Sequence, residues 1–403
     1  MMASTFDPFD ADQVQGSWSL LEELRRGGPL AAIGDGMVYV TRYAECSDVL
    51  RDATAFSNAS GFKAPGVVVP PEDRILGEMD PPQHTAVRRV MVMALTPKVV
   101  RSTEPFIRRT AADLLAALPV PGRADLVPAY TVPLPNRVTV HLLGLPAEDA
   151  DTIAGWAKEL MVSGFPASNR SERGEGFANA FPEFAGYIDD KVAARAAALE
   201  AGDNEHPDEV FTRLLQLEVD GERLSRRQLR ALVRNLITGG LTTTSQLLGN
   251  LIHHVLTLAG LEAAVRSEPR RLAGAIEESL RLRPPVMFVI RGCVENTAVG
   301  GDPVCAGERV VVGSASANRD DRVFADPDEF RPDRDNADRH LTFGYGPHVC
   351  PGASLARTVA RIGMETLLER FPPGALRTAP DYRYENVPTF FECGPRSLLV
   401  ELS

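Results

Sequence analysis

Ten residues toward the C-terminal end, Phe343-Gly-Tyr-Gly-Pro-His-Val-Cys-Pro-Gly352, restrict this chain more than any other stretch. Three glycines and two prolines in ten positions rule out a regular element and demand a tight turn. A helical pattern from Ala353 to about Arg370 follows directly. The turn therefore delivers Cys350 to a helix start, where free backbone N–H groups and the positive dipole end favour an anion. A thiol held there is biased toward thiolate, the form that ligates metals. Gly344, Gly346 and Gly352 let the backbone bend tightly and approach a bound group closely, while Pro351 removes a competing donor and suits a helix start. A buried free cysteine in a glycine turn is the plainer alternative, and it leaves the rest of the pattern unexplained.

The other cysteines, Cys46, Cys293, Cys305 and Cys393, are widely spaced and form no Cys-x-x-Cys pair, which argues against a zinc or iron–sulfur site and against a disulfide framework. With 43 basic and 54 acidic residues the net charge is −11, so the basic footprint of a general nucleic-acid binder is missing. Residues 1–13 are polar and acidic with no apolar run, so neither a signal peptide nor a membrane anchor is expected, and the expected location is the cytoplasm.

Short strand-like runs at 37–41, 287–293 and 309–313, and a last one at 397–402, flank a mostly helical stretch from 102 to 265. Two polar or Gly/Pro-rich segments, 60–72 and 164–176, read as long loops of the kind that carry function. Ser225 reads as the N-cap of a long helix ending near Leu258. Its centre, Thr238-Gly-Gly-Leu-Thr-Thr-Thr-Ser245, breaks helix propensity, either at a close packing contact or at a site. Another helix, about 268–282, ends before Pro284-Pro285, and 318–339 reads as irregular. The expected fold class is mainly α with small β-sheets (α+β), in one domain over 1–403.

The ten-residue segment resembles the haem-binding signature of the cytochrome P450 family, Phe-Gly-x-Gly-x-His-x-Cys-x-Gly, at every fixed position. The resemblance implies the cytochrome P450 fold, with haem b held between a long distal helix and the proximal cysteine loop. It implies Cys350 as the thiolate ligand to iron, Phe343 beside the sulfur, and His348 on a haem propionate. Asp80-Pro-Pro-Gln-His-Thr-Ala-Val-Arg88 resembles the family segment in which histidine and arginine bind propionate, implicating His84 and Arg88; Arg291 matches a third propionate arginine. Glu278-Ser-Leu-Arg281 resembles the family's Glu-x-x-Arg helix, and Phe330-Arg-Pro-Asp-Arg334 its meander, so Glu278, Arg281 and Arg334 are expected to form a structural cluster that fixes the cysteine loop.

The family's oxygen-binding helix usually reads Ala/Gly-Gly-x-Asp/Glu-Thr, and here Gly239-Gly-Leu-Thr-Thr243 takes its place. Thr243 would hydrogen-bond dioxygen, and Thr242 stands where the acid belongs. Protons would then travel by water, Thr243, Thr244, a distant acid or the substrate. The resemblance implies a monooxygenase of bacterial secondary metabolism that hydroxylates or epoxidises an apolar molecule with O2. Thr242 keeps a peroxygenase, oxidative coupler or isomerase open beside it, and a haem sensor or carrier is the third reading. Substrate contacts are expected at Phe62, Val67, Val68, Leu236, Gly239, Leu241, Met287, Phe288, Val289 and Phe390, a mostly apolar set. No nucleotide-binding glycine fingerprint occurs and no fused reductase is expected, so electrons would come from a ferredoxin or flavodoxin with its reductase. Arg88, Arg89, Arg101, Arg108, Arg109, Arg357 and Arg361 are the candidate basic docking face.

Overall fold

The computed structural model describes residues 6–10, 13, 18–34, 36–61, 69–163, 177–203, 210–216, 218–219, 221–388 and 391–403. Its organising element is the helix Arg226–Thr257. The start is set by a capping box: the Gln228 N–H donates to Ser225 Oγ at 3.3 Å, and the Ser225 N–H donates to Gln228 Oε1 at 2.9 Å. The helix then runs unbroken through Gly239, Gly240 and three consecutive threonines. Glycine costs a helix about 1 kcal/mol per residue, and burial outweighs that here, since every residue from Thr244 to Ile252 is buried.

Helices Pro133–Leu143, Pro269–Leu282 and Ala353–Arg370 pack against it, and Ala353–Arg370 also packs on Pro97–Ala116. They share a core in which Leu134, Leu248, Leu251 and Ile362 are fully buried. Helices Ala150–Ser163 and Pro182–Glu200 cover the first half of the long helix through a second apolar cluster.

The strands are short. A five-stranded sheet has the order Leu30–Ala32, Met37–Val40, Arg309–Val312, Val289–Cys293, Phe56–Ser57. Its neighbours are antiparallel except Met37–Val40 beside Arg309–Val312, which are parallel. The register sets Arg291 opposite Val310 in the sheet interior, so a guanidinium is carried into a buried place. A three-stranded sheet joins Leu376–Thr378, Leu399–Leu402 and Gly122–Asp125. The architecture is therefore mainly helical with small sheets, as the residue patterns imply. Among the described residues no single helix is long and apolar enough to cross a membrane.

The irregular stretch 318–339 is held by buried charge. Arg281 donates to both oxygens of Glu278, at 2.6 and 2.9 Å, and both side chains are fully buried. Arg334 Nε reaches the same carboxylate at 3.1 Å, so the three residues expected to cluster do so. A buried ion pair is tolerable only when its remaining donors are satisfied. Arg281 does this through the carbonyls of Asn318, Pro327 and Glu329, and the Arg331 N–H completes Glu278. Complete burial excludes the solvated surface pair that a bare Glu-x-x-Arg more often forms.

Candidate active site

The cysteine loop is built from its backbone upward. Gly344 and Gly346 have φ of +75° and +70°, a region that glycine alone enters freely. Gly352 has φ −86°, so no bend there requires glycine. Pro351 precedes the N-cap Gly352, and the helix begins at Ala353 as expected. The Cys350 N–H donates to the Phe343 carbonyl at 2.7 Å and closes the loop. Burial raises the Cys350 thiol above its ordinary value; the backbone N–H groups of Gly352 and Ala353, with the charges of Arg88 and Arg357, oppose it. The sulfur lies deep in the protein, and it is accessible because a cavity opens onto it.

A clamp that the sequence motifs do not reveal holds this loop. Arg357 donates twice to Glu277, both at 2.7 Å, and its guanidinium lies 4.5 Å from the centre of the Phe343 ring. His340 Nε2 lies 3.1 Å from the same carboxylate. Burial works to raise the Glu277 pKa, yet the bonds to Arg357 and His340 bring it down to about 2.

The cavity measures about 330 Å³. Cys350, Phe343, Gly352, His348 and Arg291 line it together with Leu236, Gly239 and Thr243 of the long helix. The expected propionate donors converge beside it. The His84 and His348 rings lie against each other with centroids 3.7 Å apart and planes tilted by 33°. Among the described residues, His84 Nε2, His348 Nε2 and one Arg88 terminal nitrogen are buried without a partner, and the Arg291 side chain donates to its neighbour's carbonyl, of Ile290, at 3.0 Å. Asn58 Nδ2 lies 3.0 Å from His348 Nδ1, which leaves the Nε2 position as the donor. Asn58 is itself placed by Asp80, which accepts its N–H at 2.8 Å. Burial, then Arg88, lowers the His84 pKa to about 4. Orphaned buried donors of one sign call for acidic acceptors, and two carboxylates on a flat group satisfy that demand. The residues present therefore fit a haem.

The long helix presents residues 236, 239, 240, 243, 244 and 247 to the cavity, a helical stripe. Thr243 Oγ1 donates to the Gly239 carbonyl at 2.7 Å. Gly240 packs close to helix Pro133–Leu143, where a Cβ would stand 3.1 Å from Thr139 Oγ1, whereas a Cβ on Gly239 would meet nothing nearer than 3.8 Å. The glycine pair thus serves packing at one position and space at the other. Thr242 lies on the adjacent face, and its hydroxyl donates to Glu392 Oε1 at 2.9 Å.

Of the expected substrate contacts, Leu236, Gly239 and Val289 line the cavity. Leu241, Met287 and Phe288 do not: each is buried in a hydrophobic cluster instead. Leu241 stands about 200° around the helix from Gly239, and Val286 takes the place expected for Met287. Phe62, Val67, Val68 and Phe390 lie outside the described residues. The basic face also needs correction. Arg357 is spent on Glu277, Arg361 on Glu104 and Glu365, and Arg108 on Glu365 and Glu369, while Arg88 turns toward the histidines of the site. Arg89, Arg101 and Arg109 remain exposed.

Residues 160–380 match the family model for cytochrome P450. The chain is 32% identical over 338 residues to the erythromycin C-12 hydroxylase of Saccharopolyspora erythraea, which covers 83% of this chain and 82% of that protein. It is 31% identical over 365 residues to the cyclomarin C epoxidase CymV of Salinispora arenicola, with 89% of each covered. A mutant of P450 EryK, solved in complex with erythromycin B, superposes with a TM-score of 0.86 at 31% identity over 98% of both chains. This chain belongs to the cytochrome P450 family, and it is a monooxygenase with haem b as its cofactor.

Proposed function

We propose that this chain inserts one atom of dioxygen into an apolar small molecule, by hydroxylation or epoxidation, with electrons from a separate ferredoxin or flavodoxin and its reductase. One observation carries the reading: Cys350, the orphaned His348, Arg291 and Thr243 share a single, mostly apolar cavity. Cys350 would ligate the iron, and His84, Arg88, Arg291 and His348 would hold the two propionates. When bound, the haem supplies electron transfer and dioxygen activation. Leu236, Leu247, Val286 and Val289 exclude water and receive the apolar body of the substrate. Thr243 keeps a hydroxyl proton at the cavity wall. Glu278, Arg281 and Arg334 fix the segment that leads into the cysteine loop. The exposed Arg89, Arg101 and Arg109, with the half-exposed Tyr345 and Val349 of the loop, form the docking face for an acidic electron carrier. The whole chain acts as one domain, in the cytoplasm.

The test has two parts. Reduced protein under carbon monoxide should show the red-shifted Soret band of a thiolate opposite the gas, and Cys350→Ser should abolish it. Turnover of an apolar metabolite chosen by its binding spectrum should run faster with a ferredoxin and reductase than with hydrogen peroxide. The reverse order replaces this reading with a peroxygenase, and an absence of any substrate-induced Soret shift replaces it with a sensor or carrier.

A further inference from the structure

The segment 391–395 crosses the long helix on a face distinct from the cavity stripe. Its contacts recur at helical spacing. Thr242 Oγ1 donates to Glu392 Oε1 at 2.9 Å, and a Cβ on Gly394 would stand 2.4 Å from the Gln246 side chain. A Cβ on Gly249 would meet Pro395 at 2.8 Å, and Asn250 Nδ2 donates to the Cys393 carbonyl at 2.9 Å. Positions 242, 246, 249 and 250 form one stripe, and the cavity residues 239, 243 and 247 form the next. The crossing thus places a buried carboxylate, 4% exposed, one hydrogen bond from the residue that precedes Thr243.

The pose of this segment is fixed by backbone groups. Asn386 Nδ2 donates to the Glu392 carbonyl at 2.8 Å, and the Gly394 N–H donates to Asn386 Oδ1 at 2.7 Å. The Cys393 N–H donates to the Pro285 carbonyl at 3.1 Å, and the Met287 N–H to the Phe391 carbonyl at 2.8 Å. A neutral side chain would sit in the same place without the desolvation cost of a buried carboxylate.

We propose that Glu392 supplies, from the C-terminal segment, the ionisable group that the long helix lacks at position 242, and that its protons reach the cavity side through the Thr242 hydroxyl. Threonine cannot ionise, but its hydroxyl can both accept and donate. When Glu392 takes up a proton the hydrogen bond reverses: the Thr242 hydroxyl rotates to donate to the next acceptor, a water or the Thr243 hydroxyl, and its proton departs there as the Glu392 carboxyl proton bonds to Thr242 Oγ1. Glu392 is left as a carboxylate until solvent reprotonates it. Glu392 is therefore a positioning residue that acts through Thr242, and Thr243 remains the hydroxyl at the cavity. The inference rests on the oxygen-dependent reading above.

Glu392→Gln separates chemistry from packing, because glutamine keeps the volume and an oxygen acceptor for Thr242 but holds no transferable proton. NADH consumption by the holoenzyme, with oxygen and a saturating surrogate ferredoxin system, should fall about tenfold or more in Glu392→Gln, with a larger solvent deuterium isotope effect. Glu392→Asp should keep part of the rate. Glu392→Gln/Thr242→Asp, which moves the acid onto the helix, should recover to within about threefold of the parent. A rate unchanged in Glu392→Gln, or no rescue by the added Thr242→Asp, overturns the proposal. Infrared difference spectra of the ferric protein across a pH step give a readout free of turnover. A carboxyl band that vanishes in Glu392→Gln should shift in Thr242→Val, and a band indifferent to Thr242→Val also overturns the proposal. If the parent enzyme consumes no NADH above the ferredoxin blank, the electron-supply reading falls, and the infrared result alone decides the pair.

Discussion

The cysteine loop 343–352 and the helix segment 236–247 face the same cavity and are held by different forces. Charge holds the loop. Glu277 receives Arg357 and His340, and behind it Glu278 receives Arg281 and Arg334. Among the described residues no buried side-chain nitrogen or oxygen of these two clusters lacks a partner, and Glu278 and Arg281 are wholly buried. The helix segment is held by close backbone approach and a few hydroxyls. Gly240 admits Thr139, Thr243 bonds back to its own helix, and Thr242 reaches Glu392. Nearby, Gln246 Oε1 is buried without a partner among the described residues. A sulfur that is to ligate iron, as proposed for Cys350, needs one fixed geometry, which interlocked ion pairs provide. A substrate face needs room, which glycine and small hydroxyls provide at a cost in local stability.

The sharpest way to break this contrast is Glu278→Gln. It would leave Arg281 and Arg334 buried with no counter-charge, and removing one partner of a buried pair costs about 3–5 kcal/mol. The denaturant midpoint of the purified protein should fall accordingly. A loss under about 1 kcal/mol would show that the cysteine side does not depend on its buried charges.

Acid should charge the buried histidines on both sides of the cavity, His84 and His348 by the loop and His253 on the helix, and spare the carboxylate clamp of the loop. His253, on the long helix, is held at about pKa 4 by burial and then by Arg283. The unfolded chain binds this proton near pH 6.5, and the folded chain does not until about pH 4. The unfolded state therefore holds more protons across that window, and stability declines as pH drops through it, by up to about 3 kcal/mol for this group. Glu277, at about 2, stays ionised throughout, so the loop clamp survives. Urea titrations at steps from pH 7 to pH 4 should show the decline, and His253→Phe should make it shallower, leaving the shares of His84, His254 and His348, whose pKa values burial also lowers. A decline of the same size in His253→Phe would place the acid sensitivity elsewhere.

How far these features were legible depends on sequence separation. The cysteine loop is readable because its constraints lie within ten consecutive residues. The start of the long helix is readable because Ser225 and Gln228 cap it across three positions. Glu277 gives no signal: its partners His340 and Arg357 lie 63 and 80 residues away. Asn58 is 290 residues from His348, and Glu392 is 150 from Thr242; neither belongs to a local pattern. Leu241, Met287 and Phe288 were misplaced for another reason. An apolar side chain looks the same in a core as at a cavity wall, and only helix phase or strand facing tells them apart.

The smallest predicted effect tests the trade on the helix itself. Gly239 and Gly240 are adjacent, and each pays the same propensity cost as a helical glycine. Their surroundings differ: a Cβ on Gly240 crowds Thr139 Oγ1 at 3.1 Å, and one on Gly239 has open cavity before it. Gly239→Ala should therefore stabilise the fold by up to about 1 kcal/mol, read as a small rise in melting temperature. Gly240→Ala should gain less or nothing, because Thr139 must give way. The methyl group of Gly239→Ala also projects into the space where substrate would sit, so the substrate-induced Soret shift should weaken most for bulky compounds. A stabilised Gly239→Ala with unaltered binding would mean that glycine at 239 is not kept for space, and the contrast between the two sides would lose its functional half.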